Sequence, residues 1–564
     1  MIAPSVPAVV SGAHGGLAWA AAAVAVLATV PAASRWLRVA QREHYLAGSC
    51  GRFAVRWWTC RPVNAVLGAL GLAGVLSAAA GAGVASPGVA AAASAAGALA
   101  AAVATGLGPV GLSVRGRTAP LRWTRRLATL AATAAVVAVV VWAVGAGTGR
   151  PALAAAAAAM GAPWVVDLAC ALTAPLERRL AERFVRDAAD RLARVAPTVV
   201  AVTGSYGKTS TKNHIRHLVE GSRSVVATPA SFNNRAGLAR AVNEHLADGT
   251  DIFVAEMGTY GPGEIAALCR WCPPAVSVIT AVGPVHLERF GSEDAILAAK
   301  SEIVAGVPDA VLCVDDPRLA ALADRLADAG TRVVRCSATD RSADVAVVRS
   351  DGRNASGSGD GPGSGERAAH VVVVDSVEVA GPLVLPAGVQ PANLACAVAV
   401  ARVLGISPAD VAPRLATLPA VDHRLAVARG QGGFDILDDT YNSNPAGASA
   451  ALAALAATPA RRRAVVTPGM VELGDRQTAE NRAFGQAAAG AADLVVVVGR
   501  TNRRALMAGA RAGGARPVDA GQDGAGGPTV RWVADRPSAV ALVREELGPG
   551  DAVLYENDLP DHYP

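Results

Sequence analysis

The stretch Thr203-Gly-Ser-Tyr-Gly-Lys-Thr-Ser-Thr-Lys212 sets two glycines, two lysines and a run of hydroxyls close together. That combination suits the gripping of phosphate. Glycines let backbone N–H groups turn toward an anion, and a helix starting just after them adds its own N–H groups. Lys208 would reach the β/γ oxygens of a nucleoside triphosphate, and the Thr209 hydroxyl would hold Mg2+. Gly204, Ser205, Tyr206, Gly207, Lys208, Thr209 and Ser210 are therefore the expected ATP-binding residues. The usual pattern has glycine at position 202. Val202 stands here, so the loop is a variant.

The flanking sequence supplies the elements such a loop needs. Residues 197–203 form a β-branched run, read as a buried strand, and a helix is expected from about 210 to 220. Glu256 ends another apolar strand, 252–255, which puts its carboxylate at the carboxyl edge of a parallel sheet beside the loop. A hard oxygen ligand there suits Mg2+. His286 follows a third strand, 276–282. Lys300 lies on a helix beginning at Ser292, with Glu293 and Asp294 in the first turn where the helix dipole favours acids. Spacing alone also reads Lys300 as a solvated surface lysine and His286 as an ordinary polar group. His214 and His217 have no visible third metal ligand and read as structural. Cys269 and Cys272 lack a second pair and read as small apolar residues at a helix end. Eight scattered cysteines suit a reducing compartment.

Several stretches, in order, resemble the Mur ligases, the ATP-dependent amide-forming enzymes of peptidoglycan synthesis. These are "TGSYGKTSTK", "TPASFNNRAGLARAV", "VAEMGTYGPGEIAAL", "AVGPVHLERFGSEDAILAAKSEI" and "ILDDTYNSNPAGASAAL". The last of these and "ELG" (472–474) resemble the MurF type, which adds D-Ala-D-Ala to a UDP-muramoyl tripeptide. The resemblance runs from about residue 194 to the end. It implies a carboxylate activated as an acyl phosphate and attacked by an amine. It also implies Lys208, Glu256, His286, Lys300 and Arg424 as catalytic residues. Thr209, Glu256, His286 and Lys300 would hold Mg2+, with Lys300 carboxylated by CO2 to an anionic carbamate. Asn393 would contact adenine, Asp439 the ribose, and Arg424 the γ-phosphate region. Asn442 and Asn444 lie in the turn after Asp439 and serve its shape.

The first 175 residues are different in kind. The chain has 564 residues, 52% hydrophobic but only 4% aromatic, and a net charge of +6. Five apolar runs, 15–33, 63–83, 88–112, 127–144 and 151–174, each approach the ~20 residues that span a bilayer. An arginine-rich loop, 34–62, follows the first run, arginine-rich segments follow the third and fifth, an uncharged turn follows the second and a short Gly-rich turn the fourth. The positive-inside rule then places the N-terminus outside and everything after about residue 175 in the cytoplasm. Soluble alanine-rich helices would lack that alternation. Asp167, inside the fifth run, marks either a functional site or a solvated interface position. Residues 176–195 read as a helical connector.

The expected architecture is an α-helical membrane region (1–175) followed by two α/β domains. Residues 196–420 form a central ATP-binding domain with a mainly parallel sheet and a Gly/Ser-rich disordered insertion at about 351–369. Residues 421–564 form a Rossmann-like domain, with strands expected at 434–437, 464–467, 494–498 and 552–555. Two departures from the MurF pattern stand out. No UDP-gripping domain precedes the loop, and the chain ends in acidic "YENDLPDHYP" where a K-G-S-type loop is usual. The expected partners are the membrane, a small-molecule or lipid-linked carboxylate, and an amino acid or dipeptide amine, with no nucleic acid. The readings set against a ligase are an ATP-driven transporter, which needs charged residues along its spans, and an inactive scaffold, which needs none of the residues named above.

Overall fold

The structure, a computed structural model, describes residues 8–81, 86–114, 121–230, 232–350, 369–386, 388–419, 426–440, 444–517, 527–559 and 563. The 351–368 part of the expected insertion, Arg424 and Asn442 lie outside them. The chain divides into two compact units, Met1–Leu180 with Pro560–Pro564, and Ala181–Leu559.

The first unit is helical: α1 (Ala8–Arg42), α2 (Ser49–Thr59), α3 (Pro62–Ala80), α4 (Pro87–Leu107), α5 (Arg125–Gly147), α6 (Pro151–Met160) and the start of α7 (Ala162–Val195). Among the described residues four helices are long and apolar enough to cross a membrane: Trp19–Arg42, Pro62–Ala80, Gly88–Leu107 and Arg125–Gly147. The fifth apolar run is not one straight helix. It breaks at Gly161 into a pair bent by 75°, because Gly161 ends α6 and Pro163, which has no N–H to donate, opens α7. Glycines let α3 and α4 touch by backbone: a Cβ at Gly74 would lie 2.5 Å from the Gly97 carbonyl oxygen.

The segment expected as an arginine-rich loop, 34–62, is largely helical, since α1 runs on to Arg42 and α2 follows. Its arginines are partly structural. Arg35 donates to the carbonyls of Thr105, Gly106 and Gly108 at 2.6–2.8 Å, closing the carboxyl end of α4. Asp167 accepts from the backbone N–H groups of Cys50 (3.1 Å) and Gly51 (2.8 Å) and so caps the amino end of α2. Asp167 is thus tied to backbone N–H groups within the helical unit.

The second unit holds two sheets. The central one has nine strands: β1 (Thr198–Thr203), β2 (Val225–Ala227), β3 (Ile252–Glu256), β4 (Val276–Ile279), β5 (Asp309–Cys313), β6 (Arg332–Ser337), β7 (Val345–Arg349), β8 (Ala369–Val374) and β9 (Val377–Val384). Their order is β2-β3-β1-β4-β5-β6-β7-β8-β9. The sheet is parallel through β7, and only β8 runs against it, pairing antiparallel with both β7 and β9. Strand order reverses at β1, which lies between β3 and β4, and such a switch point opens a crevice at the carboxyl ends. The end of α7 belongs to this domain's core: Val185, Ala188 and Leu192 pack with Val199 and Phe253.

The C-terminal sheet has β10 (Ala426–Arg429), β11 (Asp435–Asp439), β12 (Arg463–Thr467), β13 (Leu494–Val498), β14 (Arg516–Pro517), β15 (Thr529–Val533) and β16 (Ala552–Glu556). The order is β10-β11-β16-β12-β13-β15-β14, parallel except for β10 at the edge. The two α/β domains match the expected fold class, and the four C-terminal strands read from the sequence all form.

Candidate active site

The loop after β1 is built by glycine. Gly204 has φ 153° and Gly207 φ 78°. A Cβ at Gly207 would overlap the Asn393 side-chain oxygen, so the loop and the helix Pro391–Val403 meet only because glycine stands there. The Ser205 N–H donates to Ala281 (2.7 Å) and its hydroxyl to Gly283 (3.1 Å), pinning the loop to the segment after β4. The helix α8 (Lys208–Val219) starts directly at the lysine. Lys208 Nζ folds back to the Gly204 carbonyl at 2.7 Å. Ser210 Oγ is buried with no hydrogen-bond partner. An orphaned hydroxyl in a glycine cradle at a helix start fits a phosphate group.

Glu256 is the hub. It ends β3 at 1% exposure. One oxygen accepts from Thr209 Oγ1 (2.9 Å) and from Lys212 Nζ (3.1 Å), and the other accepts from Asn233 Nδ2 (3.1 Å). Lys212 is itself 1% exposed and donates to the Ala230 carbonyl at 2.6 Å. The loop hydroxyl expected to hold Mg2+ and the expected carboxylate ligand are thus already in contact. Among the described residues no three His, Cys, Asp or Glu side chains gather for a metal ion.

Lys300, on the helix Glu293–Ser301, is 4% exposed and not a surface lysine. Burial, and then the charge of Lys208, hold its pKa well below the usual lysine value. Lys208, Lys212 and Lys300 are the only lysines in the chain, whose other side-chain cations are arginines and histidines. Lys208 and Lys212 lie one turn apart on α8, and Lys300 is close enough to Lys208 to feel its charge.

His286 precedes the short helix Leu287–Phe290 at φ 61°. Its Nδ1 is hydrogen-bonded to Glu472, from the "ELG" turn of the C-terminal domain. Asn393 and Asp439 line one cavity of about 670 Å³ with Tyr206 and Gly207. Burial pushes the Tyr206 hydroxyl up out of its ordinary range. His214 and His217 separate. His214 is buried, and burial lowers its pKa to about 4, while His217 Nε2 lies 2.8 Å from the Arg414 carbonyl.

Three participants had no role in the sequence reading: Lys212, Asn233 and Glu472. All lie in stretches that carry the resemblance, so the signal was present, but their partners are 23 to 186 residues away. Glu556, read as part of an acidic tail, is buried at the end of β16. Burial, then Asp439, push its pKa up to about 8, against the lowering effect of the Thr467 hydroxyl bond.

Residues 202–401 match the Mur ligase middle domain and residues 423–555 the Mur ligase, glutamate ligase domain. The UDP-N-acetylmuramoyl-tripeptide--D-alanyl-D-alanine ligase of Mycobacterium tuberculosis is 36% identical over 380 residues, covering 63% of this chain and 69% of that one. The Bacillus subtilis enzyme of the same name is 30% identical over 281 residues, 49% of this chain and 57% of that one. MurF ligase from Thermotoga maritima in complex with ADP superimposes with a TM-score of 0.51 at 27% identity, covering 67% of this chain and 80% of that one. MurF from Acinetobacter baumannii gives a TM-score of 0.54 at 23% identity over 67% and 77%, a likeness of fold. The chain belongs to the Mur ligase family and is similar to its MurF-type members.

Proposed function

We propose that this chain is a membrane-held, MurF-like ligase that phosphorylates a carboxylate with ATP and joins it to an amine. The observation that carries the reading is the buried Thr209–Glu256–Lys212 contact at the switch point, with Lys208 folded over the glycine loop. Phosphoryl transfer asks for positioning and for neutralised charge. Lys208 would hold the phosphates, Thr209 and Glu256 would hold one Mg2+, and His286 and Lys300 would hold a second. Bound Mg2+ neutralises charge developing on the transferring phosphoryl group. Asn393 and Asp439 face the cavity that fits the nucleoside, and Arg424 is assigned to the γ-phosphate region on its motif alone.

Lys300 serves best as a carbamate. The Lys300 nitrogen attacks CO2, a C–N bond forms, one proton leaves to solvent, and an anionic ligand replaces an amine that Mg2+ would repel. A lowered pKa supplies the neutral amine this needs. The acyl phosphate then forms as the carboxylate oxygen takes the γ-phosphoryl group and ADP departs. The amine attacks the acyl carbon, and phosphate leaves.

The amine is D-alanyl-D-alanine, as the relatives' name states for them, and the carboxylate is that of a muramoyl peptide. Four helices of membrane-spanning length favour a lipid-linked form of it over a UDP-linked one. The arginines flanking those helices favour the cytoplasmic side, where ATP is, for the ligase domains. The test uses the purified full chain in detergent with ATP, Mg2+ and D-Ala-D-Ala. Phosphate release should require a muramoyl tripeptide and be faster with the lipid-linked form. Equal or better turnover of the UDP-linked form would refute lipid preference, and phosphate release without any amine would refute the ligase reading.

A further inference from the structure

The "ELG" turn has no part in the chemistry described so far, yet it closes on His286. We propose that Glu472 is the positioning carboxylate of His286, fixing its ring so that Nε2 is presented as a metal ligand. The C-terminal domain then completes a metal position that the central domain carries. This rests on the ligase reading above.

Hydrogen-bond chemistry sets the tautomer of the neutral ring. An ionised carboxylate only accepts, so Nδ1, which contacts Glu472, carries the proton. In the neutral ring Nε2 is then left with its lone pair, the form a metal ligand needs. A carboxylate holding the far nitrogen of a ligating histidine is a recurrent way to set ring orientation and raise basicity.

The surroundings hold this pair in place. Arg289 lies 3.7 Å from the other Glu472 oxygen. The Tyr260 ring meets the His286 ring edge-on at 5.0 Å, and Arg289 stacks over Tyr260 at 4.8 Å. Both ends of the bond sit in the left-handed backbone region, His286 at φ 61° and Glu472 at φ 65°. Non-glycine residues held there are strained, and such strain concentrates at functional sites. Gly474 lets the turn approach, since a Cβ there would come 3.3 Å from the Glu288 nitrogen. A second cross-domain pair, Arg476 with Glu293, lies beside the first and docks the domains without touching His286. It provides the control.

The experiment titrates Mn2+ into the full chain in detergent with a non-hydrolysable ATP analogue, reading free Mn2+ by electron paramagnetic resonance. The wild type should bind two Mn2+ per chain. His286→Ala should bind one. Glu472→Gln should keep the first and weaken the second by ~10-fold, and Glu472→Ala by up to ~100-fold. Arg476→Ala should leave both affinities as they were. A second Mn2+ bound normally by Glu472→Ala overturns the proposal. So does an Arg476→Ala variant that loses the second ion as Glu472→Ala does, because docking alone would then explain the effect. A wild type that binds one Mn2+ yet releases phosphate only with an amine overturns the proposal and leaves the ligase reading standing. A wild type that binds no nucleotide overturns both.

Discussion

Lys300 and Lys212 show why this arginine-rich chain keeps lysine at all. A guanidinium stays charged in any environment, while a buried ammonium gives up its proton readily. Lys300 is buried beside Lys208, and its pKa lies well below the usual lysine value. Lys300→Arg should therefore remove ligase turnover at every pH. Wild-type protein equilibrated with 13C-bicarbonate should show a carbamate resonance in 13C NMR that Lys300→Arg lacks, and an identical spectrum from both would remove the carbamate from the account. Lys212 has a different task. It is the cation paired with the buried Glu256 carboxylate. Removing one partner of such a pair leaves an uncompensated charge and costs ~3–5 kcal/mol. Lys212→Met should lower the melting temperature and nucleotide affinity together, and Lys212→Met, Glu256→Gln should recover stability but not binding. A single variant as stable as wild type would show the pair to be idle.

The helix α8 carries the loop lysine at one end and packs His214 within the core of the central domain. The His214 pKa of about 4 lies below the ordinary 6.5, so the folded state prefers the neutral ring. The resulting stability is fully present above pH 6.5 and is lost as pH falls toward 4, by up to ~3 kcal/mol. Thermal unfolding of His214→Leu should show less loss than wild type over that window, and parallel curves would contradict the burial argument. At this scale much was legible in the sequence. β-Branched runs gave β1, β3, β4 and the main C-terminal strands, and glycine followed by lysine gave the start of α8 to within two residues. The two-residue β14, the Ala-Val-Ala-Arg of β10 and the β8–β9 hairpin carry too little pattern to read. The 34–62 segment looked like a loop because its arginines resembled topology charges, whereas Arg35 spends its charge on the carbonyls closing α4. Local spacing placed Thr209 and Glu256 but could not reveal that Glu472 meets His286 across 186 residues.

The whole molecule joins a helical unit to a Mur-type pair of α/β domains. Four helices of spanning length predict that the chain stays in the membrane pellet through an alkaline carbonate wash. Recovery in the supernatant would make those helices a soluble bundle. The central claim is that ATP is spent on activating a carboxylate, and it separates a ligase from a transporter or a scaffold. Its most direct test gives the full chain ATP, D-Ala-D-Ala and a muramoyl tripeptide whose terminal carboxylate is labelled with 18O. An acyl phosphate transfers one carboxylate oxygen to phosphate when the amine displaces it. The account predicts one 18O in each phosphate released, formed only when the amine is present. Unlabelled phosphate, or phosphate released at the same rate without the amine, would contradict it.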